Sequence, residues 1–328
     1  MVVNQQKVKI SKLKDDLNFK IELIEGEDYS ALLKEEVFEL FFSSIIANRI
    51  AFYPISDSVV FPVERNSIFT FSRELSISRN FLIDQMQKLS KGEKLNPFEY
   101  IQNSTNRYPM AIRDGLTISN DLQNIQKTKS EFYTIATEIE EQLLNGTLSV
   151  SKEGDPVFVS KKNKGTKLPI HMTGSIVKTL SSLVFHLKYV ARFGELLIID
   201  EPEMNLHPDN QIILTRIFAK LLNIGTRLLI STHSDYIIRE LNNLIMASVD
   251  KPEVKLAVGN LSYNLSETIN PNDVGCYYFH FIKPNAKQVV VKQLIVDETG
   301  FEVESIDQEI TAQNERAIEL SVAINKKS

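Results

Sequence analysis

Two unbroken apolar runs, Leu196–Ile199 and Leu228–Ile230, do most to limit what this chain can fold into. Neither alternates with polar residues, so each suits a strand covered on both faces of a parallel sheet. Between them Ile213, Leu214, Ile217, Phe218 and Leu221 recur at helical spacing, and the stripe stops near Gly225. The first run ends on Asp200-Glu201 and the second on Ser231-Thr232-His233-Ser234. Open α/β sheets bind ligands outside the carboxyl ends of their strands. Two such strands joined by a helix put Asp200, Glu201 and His233 along one sheet edge, and that makes a site.

The rest of the chain supports an α/β fold around this pair. Residues 7–24 alternate and predict half-buried antiparallel strands. Tyr29–Arg49 carries a helical stripe, and Val59-Val60-Phe61 predicts a short buried strand ended by Pro62 and followed by Glu64-Arg65-Asn66-Ser67. Helical patterns follow over Phe71–Lys91 and over Asn120–Leu144, the second stopping at Asn145-Gly146. Glu153-Gly154-Asp155, between Leu148/Val150 and Val157/Val159, predicts a hairpin. A second turn at Lys161–Gly165 precedes Leu168 and Ile170. Lys161, Lys162, Lys164, Lys152 and Lys167 are read as one basic patch, either a solvated turn or a phosphate-backbone contact. Ile176, Val177, Leu180, Leu183, Val184 and Leu187 stripe a helix that opens on Thr173-Gly174-Ser175. A helix start of this kind offers free N–H groups to an anion, or is an ordinary cap. Ser234 or Asp235 caps the next helix. Strand-like runs at Tyr277–Phe281, Val289–Val291 and Leu294–Val296, a turn at Glu298–Gly300 and a helix from Asp307 complete the tail.

Composition narrows the classes. A net charge of −5 over 328 residues gives no global drive toward nucleic acid or membrane. The single cysteine, Cys276, rules out an intramolecular disulfide framework and fits a reducing compartment. The start of the chain lacks the basic and apolar regions of a secretory signal, and no window approaches the ~18 apolar residues that cross a bilayer. A cytoplasmic protein without membrane attachment is expected.

Leu-Leu-Ile-Ile-Asp-Glu-Pro at 196–202 resembles the Walker B strand of ABC/SMC-type ATPases. Glu-Met-Asn-Leu-His-Pro at 203–208 resembles the D-loop of the soluble, SMC-like branch, and Ser-Thr-His-Ser at 231–234 the switch-histidine loop. Met172-Thr173-Gly174-Ser175-Ile176 stands where a signature motif belongs, in degenerate form, and Phe-Pro-Val-Glu-Arg at 61–65 is similar to a Pro-x-x-Arg element of that branch. The resemblance is strong over Met172–Met246 and weak elsewhere. It implies an α/β fold with a mainly parallel sheet of the P-loop NTPase ABC/SMC type and a small mixed C-terminal tail. It draws one ATPase domain over 1–328, with a helix–hairpin insertion at 115–170, the signature, Walker B and switch core at 171–248, and an extension at 250–328. ATP and Mg2+ are the implied ligands, with Asp200 in the metal shell, Glu201 polarising the attacking water and His233 on the γ-phosphate. Thr173, Gly174 and Ser175 would meet the nucleotide of a partner subunit, Asn205 and His207 would contact that subunit, and Arg65 would face the nucleotide edge or join a surface salt bridge. A homodimer or a partner ATPase subunit is implied. Nucleic acid is a further partner, through DNA maintenance or phage defence.

The sequence contains no G-x-x-x-x-G-K-[ST] loop, whose amides and lysine cradle the phosphates. The expectation is an ATPase domain lacking its first lobe, through truncation, a late start site or a genuine split. The rival is an inactive, regulatory pseudo-ATPase that docks on a complete subunit. A metal-dependent hydrolase built from Asp200, Glu201, His207 and His233 lacks a local ligand pair such as H-x-x-x-H. A transporter ATPase and a fused nuclease find no support in the signature or the tail.

Overall fold

The computed structural model describes residues 2–3, 6–12, 19–24, 55, 57–71, 108–163, 165–281 and 287–325. The helical stripe at Tyr29–Arg49, nearly all of that at Phe71–Lys91, and Lys164 lie outside the described residues. The chain divides into two compact units, Met1–Pro54 and Ile55–Ser328.

In the first unit β1 (Val2–Val3), β2 (Gln6–Lys12) and β3 (Phe19–Ile24) form an antiparallel sheet in that order. The register sets Val8 opposite Leu23, Ile10 opposite Ile21 and Lys9 opposite Glu22. Like meets like on the apolar positions and opposite charges face one another, the pairings that stabilise a sheet.

The second unit is organised on a parallel sheet. β4 (Ser58–Phe61) pairs with β8 (Leu196–Asp200), and β8 pairs with β9 (Arg227–Ser231), both in parallel. The central strand is therefore the one that carries Asp200. Register aligns Phe61 with Ile199 and Asp200 with Ser231, so all three strands end at one edge. Within β8, Leu197 and Ile199 are buried while the intervening residues are half-buried. One face carries most of the burial, less even than an all-apolar run implies.

Between β4 and β8 lie the short helix α1 (Arg65–Thr70), then α2 (Met110–Asn120), α3 (Leu122–Ile125) and α4 (Tyr133–Ile139). The expected single helix over Asn120–Leu144 is thus divided. Tertiary contacts decide this: Ser130 N–H donates to the Lys188 carbonyl at 2.8 Å, and the Ser130 hydroxyl accepts from Phe132 N–H at 3.0 Å. Of the periodic residues, Leu122, Phe132, Ile135, Ile139 and Leu143 are buried and Ile125 is half-buried. Periodicity identified the buried face; continuity was lost to a polar linker pinned to its neighbour. A π-turn at Glu140–Leu144 ends on Asn145, at φ 50°. β5 (Gly146–Val150), β6 (Pro156–Ser160) and β7 (Lys167–Pro169) follow as an antiparallel sheet, with the two turns where the sequence puts them.

The helix α5 (Ser175–Tyr189) is buried from Thr179 through Lys188. It packs against α1 and α4 and anchors the larger core with Leu180, Val184, Phe185 and Leu187. Each such side chain removed from water contributes ~1.5–3 kcal/mol. Among its buried polar side chains, Lys188 Nζ donates to Glu140 Oε1 at 2.6 Å and to the Leu148 carbonyl at 2.9 Å, and His186 Nε2 meets Glu195 Oε1 at 2.5 Å, while Ser182 Oγ and His186 Nδ1 have no hydrogen-bond partner.

The crossover α6 (Pro208–Asn223) buries Leu214, Ile217, Phe218 and Leu221, then leaves through Gly225 at φ 96°. α7 (Asp235–Met246) is capped by the Ser234 hydroxyl, which accepts from Ile237 N–H. A second, smaller core joins α6 and α7 to Ile269 and Phe301. α8 (Pro252–Asn260), the hairpin β10 (Cys276–Phe281) and β11 (Val289–Leu294), and α9 (Glu304–Asn325) complete the tail. The run Leu294–Val296 enters the hairpin only at Leu294, and the last helix starts at Glu304 rather than Asp307. Among the described residues no helix is long and apolar enough to cross a membrane.

Candidate active site at the edge of the parallel sheet

Asp200, Glu201 and His233 come together as the strand order requires. Asp200 closes β8 and its Oδ1 accepts the hydroxyl of Ser231, its register partner on β9. Glu201 follows with φ 44°, a left-handed backbone that a side-chain-bearing residue rarely adopts. Its N–H donates to the Ser231 carbonyl at 3.0 Å and its carbonyl accepts from Met204 N–H at 3.1 Å. His233 Nε2 stands 3.9 Å from Glu201 Oε1, too far for a direct hydrogen bond. The imidazole is 88% exposed and the Glu201 carboxylate 39%, so both face solvent beside the strand ends.

Arg65 holds this edge from beneath. The residue is 2% exposed, and its two terminal nitrogens donate to the Asp200 and Glu201 carbonyls at 2.6 Å each, with a further bond to the Pro62 carbonyl at 3.0 Å. Burial lowers its pKa to about 10, against the pull of Asp200, Glu203 and Glu201. Of the two alternatives expected for it, a nucleotide contact or a surface salt bridge, burial removes the second, and the bonds it makes are to main-chain carbonyls. A planar fork of donors suits two successive carbonyls, where a lysine would reach one. The side chain starts α1 directly after β4, and the Pro62 and Glu64 carbonyls accept the first turn's amides.

The loop after β8 is tied on several sides. Glu203 Oε1 accepts the Thr232 hydroxyl at 2.9 Å and the His233 N–H at 2.8 Å. Gln211 accepts the Ser234 hydroxyl at 2.5 Å and donates to the Leu206 carbonyl at 3.0 Å. Asn205, at φ 62°, donates through its side-chain amide to Thr179 on α5 at 3.1 Å. His207 precedes α6 as its N-cap residue, exposed, with Nδ1 3.4 Å from Asp209 Oδ2.

Thr173, Gly174 and Ser175 stand at the start of α5. Gly174 is the N-cap residue and no side chain caps the first turn, while the Thr173 hydroxyl donates backward to the Ile170 carbonyl at 2.6 Å. The first-turn amides at the exposed start of this otherwise buried 15-residue helix therefore have no side-chain cap. The basic residues are spread over two turns and a strand, with Lys167 at the start of β7 acting on Glu153 beside Lys152. Lys152 lies in the β5–β6 turn and Lys161 and Lys162 in the β6–β7 turn, at opposite ends of the five-residue β6. That separation is about 17 Å at ~3.4 Å per residue.

Arg65's fork, Ser231, Glu203 and Gln211 were missed as functional positions. Ser231 could have been found, because equal-length parallel strands ending together bring it beside Asp200. Arg65 itself was singled out after β4, but its fork could not be read, since its partners are main-chain carbonyls 135 and 136 positions away.

The edge thus sets adjacent carboxylates, at and just after the end of the central parallel strand, beside a histidine two residues beyond the next strand. The family model of the AAA ATPase domain matches residues 6–238, and the chain belongs to that family. No curated protein matches the chain. Membership brings the expectation of ATP binding and hydrolysis.

Proposed function

We propose that this chain supplies the hydrolytic edge of an SMC-like, ABC-type ATPase site. The observation that carries the reading is the closure of the central parallel strand by Asp200-Glu201, with His233 Nε2 3.9 Å from the second carboxylate. The groups at the edge offer oxygen donors: the Asp200 carboxylate with the Ser231 hydroxyl on it, and the Glu201 carboxylate. Such a set suits Mg2+, a hard cation that takes one or two carboxylates together with nucleotide phosphate oxygens and water. Asp200 would hold the ion, which when bound with ATP neutralises charge on the β- and γ-phosphates. The metal-dependent hydrolase alternative finds no group of three or more ligating side chains among the described residues.

In this reading Glu201 orients the attacking water and accepts its proton, and its left-handed backbone sets the direction of the carboxylate. His233 donates to the γ-phosphate. Arg65 fixes the Asp200–Glu201 main chain rather than touching nucleotide, three of its four terminal N–H groups being taken by protein carbonyls. Thr173, Gly174 and Ser175 present the start of α5 to the ATP of a second subunit, and Asn205 and His207 approach that subunit. ATP-driven, head-to-tail dimerisation follows, with a second copy or with a partner ATPase subunit. A role in DNA maintenance or phage defence, in the cytoplasm, rests on the SMC-like resemblance.

The phosphate cradle is not spelled as a P-loop in these 328 residues, and that observation favours a second reading, a regulatory pseudo-ATPase. The test is calorimetric titration of MgATP, followed by phosphate release, on the chain alone and with a P-loop-bearing segment fused to it or added. Weak binding and negligible turnover alone, both restored by the segment, are expected. Micromolar binding by the chain alone would end this division of labour. Failure of the completed assembly to turn over ATP would leave the pseudo-ATPase reading standing.

A further inference from the structure

We infer that Glu203 is the positioning residue that sets His233 against the nucleotide, an inference that rests on the ATPase reading above. An imidazole that is 88% exposed has little packing to fix it. Its placement then depends on its main chain, and one carboxylate oxygen of Glu203 takes both the His233 N–H, at 2.8 Å, and the adjoining Thr232 hydroxyl, at 2.9 Å. Hydrogen bonds to an ionised acceptor are roughly twice as strong as neutral ones. The second oxygen, Oε2, is buried and has no hydrogen-bond partner. A buried carboxylate oxygen left unpaired is costly, and an apolar side chain would fill the space without that cost. The charge that offsets it comes from Arg65, whose guanidinium is stabilised by Glu203 as well as by Asp200 and Glu201. The same cation therefore fixes the carbonyls of Asp200 and Glu201 and compensates the residue that fixes His233.

The arrangement also couples two regions of the site. Glu203 belongs to the loop after β8, and two residues further on Asn205 donates to Thr179 at 3.1 Å. Thr179 lies one turn inside α5, the helix that opens on Thr173-Gly174-Ser175. A displacement of the His233 loop is thus passed through Glu203 to the loop that grips α5.

The test compares Glu203→Ala and Glu203→Gln with His233→Ala. On the chain as it is, amide hydrogen exchange is read at His233. Glu203→Ala should speed that amide's exchange about ten- to hundred-fold, as expected for losing a hydrogen bond to a charged group, with Leu214 and Phe218 amides unchanged. Glu203→Gln should keep it slow, because one amide carbonyl can accept both donors. In the assembly completed with a P-loop segment, Glu203→Ala should lower kcat about as much as His233→Ala, with KM for MgATP within about two-fold. The double variant should lose no more than either single one, since both act through one ring. Unchanged exchange at His233, or losses in kcat that add, would overturn the proposal. If the unaltered assembly does not turn over ATP while His233 exchange does respond, the ATPase reading fails and Glu203 retains only its hold on the loop.

Discussion

Arg65→Met keeps the length and apolar stem of the side chain and removes every donor, so it isolates what the fork does. The residue is 2% exposed, and its guanidinium makes two bonds of 2.6 Å to the Asp200 and Glu201 carbonyls and one of 3.0 Å to that of Pro62. Hydrogen bonds to a charged group contribute ~1.5–3 kcal/mol each. Part of that gain is cancelled, because burial costs enough to lower the arginine's pKa to about 10. Glu201 is held at φ 44°, a conformation that itself costs ~1–3 kcal/mol and relaxes once the fork is gone. The net expectation is a loss of ~3–5 kcal/mol, the size seen when one partner leaves a buried polar cluster. At ~2–4 °C per kcal/mol, the melting temperature should drop by roughly 6–20 °C. Urea and thermal unfolding measure this directly, with Arg65→Lys as an intermediate that reaches one carbonyl. A loss below ~1 kcal/mol for Arg65→Met would refute the reasoning, because surface substitutions cost that little.

Three further substitutions test other parts of the account. Ser175→Arg should block ATP-dependent dimerisation in the completed assembly while each subunit still binds nucleotide; sedimentation with ATP showing dimers of parental strength would reduce the start of α5 to an ordinary helix end. Lys188→Met leaves Glu140 buried without its ammonium partner and should cost ~3–5 kcal/mol near neutral pH. Burial already raises the Glu140 pKa, with Lys188 pulling it back, so removing Lys188 raises it further. A raised folded-state value gives stability that is full below the unfolded value and lost as pH rises through the folded one. The deficit against the parent should therefore shrink between about pH 7 and about pH 4, and equal urea-midpoint deficits at both would contradict this. Gly300→Ala would put a methyl 2.2 Å from Asn242 Oδ1 at a residue with φ 98°. Asn242 brackets Phe301 through bonds of 2.8 and 3.0 Å, so the smaller core should lose ~1–3 kcal/mol, read by exchange at Leu244 and Ile245.

What the sequence revealed and what it hid divide along physical lines. Leu196–Ile199 and Leu228–Ile230 announced the parallel pair by their unbroken apolar character, and the polar residues ending them marked the edge; their burial on both faces was not met, since only Leu197 and Ile199 are buried and Leu229 is 55% exposed. The hairpin around Gly154 and the stop at Asn145 were legible from turn chemistry, which is local. The broken helix at 121–132 was not, because Ser130 is held by a carbonyl on α5, 58 positions further along the chain. Arg65 was noticed for its place after a strand, yet its role depends on carbonyls of a strand paired in three dimensions. Glu203 and Gln211 were equally hidden: each joins two loops whose proximity follows from the sheet order β4-β8-β9, which periodicity does not encode.

The central claim is that Glu201 aligns and deprotonates the attacking water at the edge closed by Asp200. Single-turnover hydrolysis by Glu201→Gln, in the assembly completed with a P-loop segment, tests it most directly. The amide keeps the shape and the left-handed backbone and removes the base. The account predicts MgATP binding close to that of the parent and hydrolysis slower by about 10²–10⁴-fold, the span attributed to a positioned general base. Hydrolysis by the variant at the parental rate would contradict it and take Glu201 out of the chemistry.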